Sequence, residues 1–112
     1  MEQDIFYSEL STIEEEINHG LLNALPDHWV DVIFTVEYIE REKGFSLNST
    51  AQSSSGRPLI PEPPEFVYEK VLKHRELFKN YKGAWKSAVF KIFWDEIDQS
   101  WKTESKYNYE NT

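Results

Sequence analysis

The side chains best suited to proton transfer or metal ligation are His19, His28 and His74. They lie far apart, and neither a His-Glu-x-x-His motif nor a cysteine pair gives the ligand spacing of a zinc site. His74 falls on an apolar helical stripe, where a histidine satisfied inside the core is a simpler reading than a ligand. Asp27-His28 follows a helix end and reads as a turn with a capping carboxylate rather than an acid–base pair. Asp95, Glu96 and Asp98 bring three carboxylates close in sequence. Without the glycine and distal glutamate of a calcium loop, they read as a polar hairpin turn. Ser53, Ser54 and Ser55 have neither a nucleophile elbow nor an obvious base, and no glycine-rich phosphate loop exists. The expectation is a protein that is not an enzyme, with no catalytic residues, no metal and no cofactor.

What stands above background is charge and aromatic content. Twenty acidic residues face twelve basic ones, for a net charge of −8. Residues 1–40 hold half of the acids and no Lys or Arg; the first basic residue is Arg41. Such a chain repels nucleic acid, whose affinity for proteins rests on phosphate neutralisation. It favours a basic protein partner, because complementary fields speed encounter and fix docking register. The plainer reading is that acidity keeps the protein dissolved. Trp29, Phe93, Trp101, Tyr107 and Tyr109 lie on strand faces that also carry polar groups. They are either interface anchors or a second packing layer.

Cysteine is absent, which excludes disulfide scaffolds and thiolate nucleophiles and fits a reducing compartment. The opening Met1-Glu2-Gln3-Asp4 is acidic where a signal peptide is basic. No apolar run approaches the ~20 residues of a membrane span. The expectation is a cytoplasmic protein with no membrane partner. At 112 residues, 39% hydrophobic and 15% aromatic, the chain reads as one domain spanning 1–112, with enough apolar surface for a core.

Periodicity supplies the elements that position these residues. Phe6, Leu10, Ile13, Ile17 and Leu21 recur at three and four, predicting an amphipathic helix from about Asp4 to Leu25, stopped by Pro26. Glu9, Glu14, Glu15 and Glu16 are expected at the flanks and back of that stripe, and Gly20 is expected to weaken the helix near its end. His28 to Glu40 alternates as a strand, with Val30, Val32, Phe34, Val36 and Tyr38 on one face. Glu42-Lys43-Gly44 turns it into a second strand through Phe45, Leu47, Ser49 and Ala51. Gln52 to Pro64 reads as a Ser/Pro-rich loop. A second helix runs from Glu65 to Tyr81, with Val67, Val71, His74 and Phe78 as its stripe, ended by Lys82-Gly83. Ala84 to Glu96 alternates with Ala88, Phe90, Ile92 and Trp94 inward, Glu96 to Gln99 turns, and Trp101 to Tyr109 returns. The order α-β-β-α-β-β predicts an α+β fold: a four-stranded antiparallel sheet of two hairpins, with two helices packed on one face.

The run LPDHWVDVIFTVEYIE after an acidic helix, then AWKSAVFKIFWDE and KYNYEN, resembles the YezG-like bacterial immunity proteins. Pro26-Asp27-His28-Trp29, Trp85 and Tyr107-Asn108-Tyr109-Glu110 stand where that family has a P-x-x-W strand start, a Trp-initiated hairpin and an aromatic–acidic tail. The last hairpin departs from the family in lacking a glycine. The resemblance implies an antidote that binds a cognate protein toxin in the cytoplasm. Such toxic domains are often basic nucleases, which an acidic protein would occlude stoichiometrically. The competing reading is an acidic adaptor or assembly subunit with a non-toxin partner. The partner-binding residues expected are Asp4, Glu14, Glu15 and Glu16 on the helix and Asp31, Glu37 and Glu40 on the first strand, with Trp101 and Tyr107 as anchors.

Overall fold

A computed structural model describes residues 2–60 and 62–109. Glu110 of the aromatic–acidic tail lies outside them. The order is α1 (Glu2–Ala24), β1 (Asp31–Arg41), β2 (Gly44–Gln52), α2 (Glu65–Tyr81), β3 (Ser87–Asp95) and β4 (Ser100–Asn108). The strands form one antiparallel sheet in the order β2-β1-β3-β4. Each hairpin is local, and the two hairpins join through β1 and β3, with Phe34 opposite Phe90.

Alternation decides the faces. Val32, Phe34 and Val36 of β1 and Ala88, Phe90 and Ile92 of β3 are fully buried beneath the helices. Their odd-numbered neighbours, Ile33, Thr35, Glu37, Val89, Lys91 and Phe93, therefore turn to the opposite, uncovered face. α1 adds Phe6, Ile17 and Leu21 to the core, and α2 adds Val67, Val71, Leu77 and Phe78. The helices run antiparallel: Phe6 meets Phe78 and Tyr81 at one end, and Gly20 meets Val67 at the other. Gly20 does more than weaken its helix. A Cβ there would come within 2.6 Å of Val67 Cγ2, so the bare backbone is what allows the helices to approach.

Two strand starts differ from the alternation. Trp29 N–H bonds back to the Pro26 carbonyl and His28 adopts a left-handed φ of 76°, so the chain turns until Asp31. Val30 is accordingly 58% exposed rather than inward. Residues 84–86 precede β3, which frees the Trp85 indole to leave the strand pattern and become the largest fully buried side chain. Arg75 Nε donates to the Trp85 carbonyl at 2.8 Å, and its guanidinium lies 3.4 Å from the centre of the Tyr38 ring.

Candidate docking surface and the buried polar cluster

Glu14 departs most from the expected layout. It sits beneath α1 and joins a polar cluster drawn from both helices and the second hairpin. Trp85 Nε1–H donates to His74 Nδ1 at 3.1 Å, and His74 Nε2 lies 3.1 Å from Glu14 Oε2. Indole is a donor only, so Nδ1 must present its lone pair and Nε2 carries the proton toward Glu14. The Tyr107 hydroxyl donates to the same carboxylate oxygen. His74 is fully buried, with Phe78 stacked on it at 4.8 Å and Phe90 edge-on at 5.3 Å. This is the satisfied core histidine expected from its stripe. Burial pushes the Glu14 carboxyl up, but the hydrogen bonds from His74, Tyr107 and Ser105 outweigh it and hold the group below its usual range. Burial and the facing carboxylate push the Tyr107 phenol far above the ordinary tyrosine range.

Two of the expected partner-binding side chains are therefore tied into this half-buried cluster, although Glu14 keeps 26% of its side chain exposed and lines the groove toward β4. Glu14 and Tyr107 serve the core, and Glu16 is only partly available because Lys70 Nζ bonds it at 2.6 Å. The strand carboxylates go elsewhere. Asp31 accepts from the Ser54 backbone N–H at 3.0 Å, Glu37 points to the uncovered sheet face beside Asn48, and Glu40 is exposed near the β1–β2 turn. Trp101 is 37% exposed and packs edge-on against Trp94 where β3 turns into β4. The expected set is thus not one surface: the α1 carboxylates and Glu37 lie on opposite sides of the sheet.

One coherent acidic face does exist, along the outside of α1. Asp4, Ser8, Ser11, Glu15 and Asn18 recur at four and three, so they share one outward line, whose carboxylates are Asp4 and Glu15; Glu9 is exposed on the flank that carries Glu16. α1 contains no Lys or Arg. Grooves flank this ridge on both sides, and Glu15 and Asn18 line both. Toward α2, Glu16, His19, Leu22 and Phe66 wall a groove of about 530 Å³. Toward β4, Tyr7, Leu10, Ser11 and Thr103 wall one of about 410 Å³. Tyr7 and Phe66 are 56% and 44% exposed, so each groove has an aromatic wall open to solvent. Neither ring stood out in the sequence, since each adjoins a core residue, Phe6 or Val67, and reads as part of its stripe. Each aromatic wall also has a lysine beside it: Lys70 lies over Phe66, and Lys82 lies over Phe6 and Tyr7.

Among the described residues no group of three or more His, Asp or Glu side chains is placed to hold a metal ion, and no helix is long and apolar enough to cross a membrane. No protein-family model matches the chain, and no curated protein matches it significantly.

Proposed function

We propose that this chain is a cytoplasmic immunity protein that neutralises a toxin domain by covering its basic surface in a stoichiometric complex. The observation that carries this reading is the outer face of α1: an acidic ridge on a helix with no Lys or Arg, between two grooves that each expose an aromatic ring. A nuclease presents a basic surface because its substrate is a polyanion, and carboxylates take the places meant for phosphates. Exposed ion pairs contribute only about 0–1 kcal/mol each, so affinity must come from groups that lose water on docking. Tyr7 and Phe66 are suited to that role, and the carboxylates beside them set approach and register. The similarity of Pro26-Asp27-His28-Trp29 and Trp85 to the YezG-like pattern supports a toxin as the partner.

The test takes as candidate toxin the C-terminal domain of a secreted protein encoded beside this chain's gene; a neighbourhood with no such gene would count against the reading. Co-expression of the chain should restore growth to cells making that domain; failure to protect returns the adaptor reading. The Asp4→Lys/Glu15→Lys variant should associate about tenfold more slowly at low salt, with the gap closing as salt is raised. Equal association rates at low salt would remove α1 as the docking face. Reversal at Glu14 is not a usable probe, since it would disrupt the core.

A further inference from the structure

We infer that the outer edge of β2 is a strand-addition site for an extended, basic segment of a partner protein, whether or not that partner is a toxin. β2 is an edge strand nine residues long, paired with β1 without a bulge from Gly44 to Gln52. It contains no Lys, Arg or Pro, so it lacks the usual devices that blunt an edge. The opposite edge, β4, has them in Lys102, Glu104 and Lys106.

The chain itself already uses the first rung of this edge. After β2 it folds back so that Pro58 bridges Gln52, and Leu59 N–H donates to the Ala51 carbonyl at 2.8 Å. Ala51 therefore points its backbone groups away from β1. By the two-residue period, Ser49, Leu47 and Phe45 do the same. Among the described residues, those backbone groups make no hydrogen bond beyond the sheet. Beside them runs an open groove of about 640 Å³, lined by Phe45, Leu47, Ser49, Glu62 and Tyr68.

The groove specifies its occupant. An added strand would place alternate side chains on the helix side, against Phe45 and Leu47 and within reach of Glu62. The others would fall on the uncovered sheet face, near Asn48 and the Glu37 carboxylate that it contacts. A carboxylate lies on each side, and the Arg41 guanidinium, bonded to Ser46, sits at the turn end, so the fitting segment carries Lys or Arg opposite Glu62 and Glu37 between apolar residues. A second copy of the chain brings a like charge of −8 and an uncharged β2, which leaves Glu62 unanswered.

The experiment uses a short synthetic peptide of alternating lysine and valine, with a glutamate–valine peptide as control. A cationic peptide will adhere loosely to any acidic protein, so amide hydrogen exchange locates it. The lysine peptide is expected to slow exchange at Phe45, Leu47 and Ser49, and the control to leave them unchanged. The Leu47→Pro variant removes one outward N–H and spares the β1 ladder. Once circular dichroism shows it folded, it should bind the peptide about tenfold more weakly. Protection elsewhere, equal binding by folded Leu47→Pro, or protection of these amides by dimerisation without peptide would each overturn the assignment.

Discussion

Within the buried cluster, one carboxylate answers two donors. His74 and Tyr107 both point at Glu14 Oε2, and Trp85 fixes the His74 tautomer from the other side. Glu14→Gln keeps the shape but removes the charge that accepts these bonds. It should cost about 1–3 kcal/mol in denaturant unfolding at neutral pH. The pH dependence follows from the depressed carboxyl. Its stabilisation is complete above the ordinary value of 4.5 and is lost as pH falls through the lower folded-state value. The gap between wild type and Glu14→Gln should therefore narrow in acid; a gap independent of pH would contradict this account. The spacing of Leu10, Glu14, Ile17 and Leu21 at four, three and four is compatible with an inward Glu14, but it does not mark Glu14 out from the carboxylates expected at the flanks and back of the stripe. A glutamate flanked by Glu15 and Glu16 reads as surface, and only its partners, sixty and ninety-three residues away, show otherwise.

Elements were the most readable level, because helix stripes and strand alternation are properties of the local chain. The stripe of α2 and the inward faces of β1 from Val32 and of β3 as far as Ile92 are as the periodicity predicts; Trp94, expected inward, is only half-buried and packs on Trp101 outside the core. Misreadings fall where a tertiary contact overrides local pattern, at Val30 and at Trp85. Gly20 is a third instance. In an isolated helix Gly20→Ala would gain about 1 kcal/mol. Here the added methyl meets Val67, and overpacking of this kind costs about 1–3 kcal/mol. Gly20→Ala should thus lower the denaturant midpoint. Val67→Ala in the same chain should recover part of the loss, so that the two changes are not additive. A stabilised Gly20→Ala would show that the helices can separate freely.

For the whole molecule, what the sequence did not reveal is how the hairpins join, because strand alternation says nothing about which edges meet. The order β2-β1-β3-β4 reads alike from either end once the halves α1-β1-β2 and α2-β3-β4 are exchanged. The helices also reach across. Glu14 of α1 binds Tyr107 of β4, while Tyr68 of α2 packs on Phe34 of β1 and bonds Ser49 of β2. Each helix thus covers strands of the other half. A chain cut within the exposed Ser54–Gly56 turn should give two fragments that are unstructured alone and recover the native circular dichroism when mixed. A fragment that folded by itself would refute this. The same reciprocity means that two copies of one α-β-β unit of half this size, joined along the central pair of strands, would suffice to build the complete architecture.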